Sequence, residues 1–198
     1  MDLRRLMCAV ICTALAAPAI LSAQAPAAEA TPTMQSPGES LNQLLTGLER
    51  EVVGAAEAMP ADKYDFAPTN GEFKGVNTFA AQVRHLAEAN YEFFQGWNVP
   101  GVTAVDSKTI DALKTKDEIV KALKDSYVYA HAAINTITAE NAFVAMGKPP
   151  RVHTRVYFAA FCMAHSMDHY GQMVEYLRDN GIIPPASRPQ QQQTGNGQ

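Results

Sequence analysis

The sequence predicts an all-α protein whose four long helices pack as a four-helix bundle. Four segments repeat their apolar residues at the 3.6-residue spacing of a helix that buries one face, and each begins at a capping residue. No segment alternates apolar and polar residues convincingly, so no sheet is predicted. Helices of about 20 residues bury such faces most economically against one another. The 198 residues, 47% of them apolar and with a net charge of −4, suit one globular domain.

The first 25 residues are interpreted as a secretory signal peptide. Arg4 and Arg5 precede a nearly continuous apolar run at 6–21, and small residues suited to a cleavage site follow it. This run is shorter than the roughly 20 residues of a membrane-spanning helix, and Pro18 interrupts it. We therefore expect an exported protein, periplasmic or secreted, with no membrane attachment after cleavage.

The mature chain is expected to have one folded domain between two disordered ends. Residues 26–35 lack periodicity and predict a linker, and residues 186–198 form a polar tail rich in Gln and Gly. The domain at 36–185 is long enough to bury a core. Cleavage would leave Cys162 as the only cysteine, so no internal disulfide is expected.

The first predicted helix opens with three local signals. Ser36 supplies a capping hydroxyl, Pro37 occupies the first helical position, and Glu39 completes a capping box. The helix is expected to continue to about Met59 and to stop at Pro60. Its apolar face would consist of Leu41, Leu44, Leu45, Leu48, Val52 and Ala55.

The second predicted helix follows an ordered loop at 61–76. It begins near Asn77 or Thr78 and continues towards Trp97, with His85 on its apolar side. A second long connection, residues 96–109, follows it.

The last two predicted helices also begin at recognisable caps. A capping box of Thr115 and Glu118 opens the third helix, which continues to about Ile137. The fourth and longest apolar helix spans about 154–180, and Gly181 is suited to end it.

Three histidines are candidate metal ligands. His165 and His169 lie a turn apart on the apolar face of the fourth helix, so both imidazoles can reach one ion. Each could instead bond a neighbouring Tyr, Gln or backbone carbonyl. His85 can supply a third imidazole from the facing helix, and three such ligands leave positions open for water or substrate. The sequence therefore predicts a divalent metal on these three residues.

Four segments, taken in order, resemble the DinB-like superfamily. They are KYDFAPT (63–69), RHLAEANYEFF (84–94), KDEIVKALKDSYVY (116–129) and AHSMDHYGQMVEYLRDNGIIPP (164–185). The most specific feature is the lone helix-two histidine followed about 80 residues later by HxxxHxxQ. The resemblance implies a bundle whose second and third helices run parallel, joined by a long crossover. It also places the metal, usually nickel or zinc, on His85, His165 and His169. Some members of the family are metal-dependent thiol S-transferases or related isomerases, and many have no assigned activity.

Four further residues are candidates for the pocket or the surroundings of the metal. Gln172 could hydrogen-bond a ligand, or join two helices. Glu88 could orient an imidazole or act as a general base, although a solvent-facing carboxylate is the ordinary interpretation. Cys162 could be a soft fourth ligand, or a small buried residue. Tyr176 could line the pocket, or belong to the core.

Other chemistries lack their signatures. No basic cluster is present to grip nucleic-acid phosphates, and no HExxH, Glu-x-x-His, GxSxG or glycine-rich phosphate loop occurs. His131 and His153 have no partner at ligand spacing and are interpreted as non-ligands.

Two functions remain compatible with these residues. The first is an exported metal-dependent enzyme, of transferase or hydrolase type, that acts on a small molecule. The alternative is a non-catalytic bundle that binds metal or a small ligand and has a stress-related role. Neither is expected to bind nucleic acid, and either could form a homodimer.

Overall fold

The computed structural model describes residues 33–69 and 74–189, and the predicted signal peptide lies outside them. The four long helices are α1 (Pro37–Ala58), α2 (Phe79–Glu92), α4 (Lys116–Asn135) and α5 (Arg155–Asp179). The smaller elements are helix α3 (Ser107–Asp111), strands β1 (Ala145–Lys148) and β2 (Arg151–Thr154), and 3-10 turns at Ala61–Lys63 and Pro185–Ser187. Within these ranges, no helix combines the length and apolarity needed to cross a membrane.

The helix starts follow the local signals in the sequence. In α1 the Ser36 hydroxyl accepts from the Glu39 amide at 3.2 Å, and the Glu39 carboxylate accepts from the Ser36 amide at 2.8 Å. Thr115 and Glu118 form the same reciprocal pair at the start of α4. The other two long helices are capped by Thr78 and Thr154. Each cap satisfies backbone N–H groups that have no partner within the helix.

The four long helices surround a common core in the order α1, α4, α2, α5. Helices α2 and α4 run in the same direction, because their contacts progress together along both. Asn90 donates to the Ser126 hydroxyl at 3.0 Å, and one turn further Tyr129 donates to the Phe94 carbonyl at 3.3 Å. The four-helix bundle with parallel second and third helices and a long crossover between them is therefore confirmed.

Gly38 allows α1 to begin directly against the end of α4. Its amide donates to the Ile137 carbonyl at 3.1 Å. A Cβ at this position would lie 2.8 Å from the backbone oxygen of Ile134, closer than such atoms normally approach. The close approach therefore requires glycine at this point.

The expectation that no sheet is present was wrong. Strands β1 and β2 form an antiparallel hairpin in which Ala145 pairs with Thr154 and Lys148 with Arg151. Each strand has only four residues, too few for a period-two pattern to stand out. Helix α3 was also missed, since it lies within the expected crossover and has five residues.

Some boundaries and faces also differ from the expectations. Helix α2 ends at Glu92, and the chain turns before Gly96, whose φ is +79°. Leu44 is expected on the apolar face of the first helix but is 56% exposed. Helical periodicity identifies the apolar side of a helix, but the neighbouring helices decide how wide a strip they cover.

Candidate metal centre

Three imidazoles from two helices meet inside the bundle. His85 projects from α2, and His165 and His169 project from consecutive turns of α5. One ring nitrogen from each lies within 4.8 Å of the other two. The ring centroids are 5.0 Å apart for His85 and His165, 4.9 Å for His85 and His169, and 4.4 Å for His165 and His169. The convergence expected from the spacing is present.

A chain of hydrogen bonds sets the tautomer of His169. The Asp168 carboxylate accepts from Gln172 Nε2 at 3.0 Å, and Gln172 Oε1 accepts from Gln82 Nε2 at 2.8 Å. Gln82 Oε1 is then the acceptor for His169 Nδ1, 2.5 Å away. Because an ionised carboxylate only accepts, each amide in the chain has one orientation, and the His169 proton lies on Nδ1. Nε2 therefore keeps the lone pair that a metal requires.

His165 provides the strongest indication that something binds here. Its Nε2 is buried and has no hydrogen-bond partner among the described residues. Burying an unsatisfied polar atom costs about 1–3 kcal/mol, so proteins rarely leave one without a purpose. A divalent cation between the three rings would supply the missing partner, and the residues therefore fit a metal with imidazole ligands.

Comparison with known proteins identifies the family of this chain. A family model described as the DinB superfamily matches residues 44–173. The chain belongs to the DinB superfamily. Comparison with curated proteins finds no match.

Two solved structures have the same fold. A DinB-like protein from Bacillus cereus aligns with a TM-score of 0.62 and 14% identity, over 77% of this chain and 98% of the other. The DinB-like protein YjoA from Bacillus subtilis aligns with a TM-score of 0.56 and 17% identity, over 76% of this chain and 100% of the other. The suspected DinB resemblance is therefore confirmed, and the three histidines of this DinB chain could hold a metal.

Burial keeps two of the imidazoles neutral. It lowers the pKa of His165, and the nearby His85 lowers that pKa further. Burial, followed by the charges of His165 and His85, lowers the pKa of His169 to about 4, against a weaker opposing effect of Asp168. Neutral imidazole is the form that binds metal, so both rings are available at neutral pH.

The metal-free protein should become less stable as the pH falls from 6.5 to about 4. In this range the unfolded His169 takes up a proton that the folded ring does not, so acid favours the unfolded state. Above pH 6.5 the ring is neutral in both states, so this loss of stability is absent. Urea unfolding in a chelating buffer at several pH values measures the change, and His169→Gln should reduce the slope. An unchanged slope in that variant would contradict this assignment.

Three other predicted candidates, Gln172, Cys162 and Tyr176, form hydrogen bonds to partners outside the three imidazoles. Gln172 takes part in the hydrogen-bond chain to His169. Cys162 is buried, its thiol donates to Asn90 Oδ1 at 3.4 Å, and burial raises its pKa to about 12. A protonated thiol does not favour metal binding. Tyr176 donates to the Asn77 carbonyl at 2.9 Å and joins α5 to the start of α2.

Glu88 differs from the solvent-facing carboxylate that was the simpler expectation for this residue. Its Oε1 is buried and has no hydrogen-bond partner among the described residues. Burial raises the pKa of Glu88 to about 7, with further increases from Asp111 and Glu92 and an opposing effect of Arg84. Asp111 belongs to α3, the helix that periodicity missed, so its effect on Glu88 was not visible from α2 alone.

The two remaining histidines are held elsewhere. His131 bonds Asn42 Oδ1 at 2.6 Å through Nδ1 and Glu49 at 3.0 Å through Nε2, which ties α4 to α1. His153 stacks on Tyr157 with the ring centroids 4.0 Å apart. Neither belongs to the group of three converging histidines.

A cleft of about 980 Å³ lies beside the histidines. Residues of α2, the crossover, β2 and the first turns of α5 line it, Glu88 and Glu92 among them. Two of its lining residues also pack on His165: the Phe93 ring lies 5.4 Å from the imidazole and the Phe161 ring 6.3 Å, centroid to centroid. The rings of Phe93 and Phe161 therefore lie between the cleft and His165 of the candidate metal centre.

Proposed function

We propose that this DinB protein is an exported metal-dependent enzyme that acts on a small molecule. His85, His165 and His169 would hold the divalent ion, and the buried, unpartnered Nε2 of His165 is the observation that supports this most strongly. Imidazole ligands suit both nickel and zinc, and either is proposed as the resident metal. When bound by three histidines, such an ion supplies Lewis-acid chemistry.

The protein's own residues would perform three tasks. Gln82 orients the His169 ring, and the chain through Gln172 to Asp168 holds Gln82 in place. The aromatic side chains between the cleft and His165 would shield the centre from bulk water. Glu88, whose pKa is raised to about 7 by burial, could accept or release a proton near neutral pH.

The first 25 residues support the proposal that the protein is exported. The three-histidine pattern, which leaves metal positions open, supports a transferase or hydrolase reaction. Isolation of the chain from the periplasm or medium, with sequencing of its new N-terminus, tests the export. A chain that stays with the cytosol and keeps Met1 would contradict it.

Elemental analysis of the natively purified protein, combined with an anaerobic screen for thiol transfer and hydrolysis, tests the enzymatic proposal. We expect about one nickel or zinc per chain and a turnover that His165→Ala abolishes. The matched control is His131→Ala, which removes a histidine bonded to Glu49 and should leave both metal and turnover unchanged. Stoichiometric metal without turnover would favour the non-catalytic alternative. Metal content at background would overturn both.

A further inference from the structure

Five of the thirteen residues that line the cleft beside the histidines are Phe or Tyr. Tyr157 and Phe161, one turn apart on α5, lie nearly parallel, with an interplanar angle of 5° and centroids 5.8 Å apart. They are 42% and 45% exposed, so part of their surface is available to a ligand even though His153 stacks on Tyr157. Phe93, directly after α2, meets Phe161 edge-on with the ring centroids 5.3 Å apart. Aromatic faces carry negative electrostatic potential and attract cations.

The charged groups that line the same cleft are carboxylates. They belong to Glu88, Glu92 and Asp106, and no Lys or Arg is found among the residues described as lining the cleft. Asp106 already accepts from the Lys108 amide, where it caps α3. Glu88 Oε1 has no partner among the described residues although it is buried. These carboxylates would repel an anionic ligand, whereas a cation could bind at Glu88 Oε1.

The cation nearest to Glu88 on its own helix points elsewhere. Arg84 donates to the Leu113 carbonyl at 3.2 Å and thereby joins α2 to the segment after α3. Asp111 and Glu92, the other charged groups that act on Glu88, are acidic. Arg84 therefore offsets the acidity around Glu88 only in part, and its surroundings remain predominantly acidic.

We propose that this cleft binds a small organic cation, an ammonium group attached to an apolar or aromatic body. The ammonium would lie against Glu88 and Glu92, and the apolar body would lie against the rings of Phe93, Tyr157 and Phe161. The volume of about 980 Å³ is ample for a molecule of this kind. That the cation is a substrate rests on the proposed function, but its binding does not require a metal.

The test uses benzyltrimethylammonium as the probe, because a quaternary ammonium has no lone pair with which to bind a metal. Phenylacetate is the matched anion with the same ring. Calorimetric titration of the full chain is done first with metal removed by a chelator. We expect saturable binding of the cation at least about tenfold tighter than that of the anion. Equal or tighter binding of the anion, or no saturable binding of the cation, would overturn the proposal.

Three variants localise the binding. Glu88→Gln and Tyr157→Ala should each weaken binding of the cation by about tenfold, through loss of the carboxylate charge and of an aromatic face. Glu57→Gln removes the same charge from an exposed site on α1, where Glu57 pairs with Lys124, and should change nothing. If Glu57→Gln and Glu88→Gln weaken binding of the cation equally, net charge alone explains the effect and the proposed binding in the cleft is wrong. Because the probe is titrated without metal, failure of the metal centre leaves this result unaffected.

Discussion

Replacing His165 with alanine should reduce the affinity of the chain for zinc or nickel by about 100- to 1000-fold, or about 3–4 kcal/mol of binding free energy. The variant loses one of three converging imidazoles, and the remaining two come from different helices. The bundle itself should stay folded in the absence of metal, because the substitution also removes the buried nitrogen without a partner. Competition titration against a chelating dye measures the affinity, and circular dichroism confirms the fold.

His131→Ala is the control for this variant. His131 is also a partly buried helical histidine, but its two nitrogens bond Asn42 and Glu49 at the α1–α4 contact. Its replacement should leave metal affinity unchanged. If both variants retain the affinity of the natural chain, the three-histidine centre is wrong. If both variants lose metal affinity, the loss reflects general destabilisation of the fold.

Replacing Phe79 with alanine should reduce the free energy of unfolding by about 3–5 kcal/mol. Phe79 begins α2, is 0% exposed, and packs edge-on against Tyr64 with ring centroids 5.3 Å apart. The alanine would lose the contacts of a whole ring and leave a cavity among Tyr64 and Tyr176, which the fixed helices can close only in part. Urea unfolding followed by circular dichroism measures the change.

The matched control makes the same substitution on the surface. Phe143 is 78% exposed, so Phe143→Ala should change the free energy of unfolding by no more than about 0.5 kcal/mol. A loss at Phe79 as small as that at Phe143 would show that the start of α2 does not pack as described.

The fold was largely predictable because its signals are local. Ser36 with Glu39, and Thr115 with Glu118, satisfy backbone groups within three residues of themselves, so the helix starts can be recognised from the sequence. The spacing of His165 and His169 likewise places them on one face of any helix that contains them. The family match then confirmed the bundle as a whole.

Features that depend on distant parts of the chain were not predictable in the same way. The role of Gln82 depends on Gln172, 90 positions later, and the raised pKa of Glu88 depends in part on Asp111 in a five-residue helix. The hairpin of β1 and β2 depends on pairing between two strands too short to show a pattern. These interactions leave no periodic signal because the lengths of the intervening segments, and not a helix or strand repeat, set the spacing of the partners.

By itself, the sequence determined where the long helices begin, which side of each is apolar, and which three imidazoles could share an ion. Only the tertiary structure decided that His85 meets the other two, that Gln82 bonds Nδ1 of His169, and that acidic and aromatic groups line the adjoining cleft. The reason is that hydrogen bonding within a helix involves near neighbours along the chain. Packing of one helix on another brings together residues that are far apart in the sequence, and their sequence separation does not predict which of them will meet.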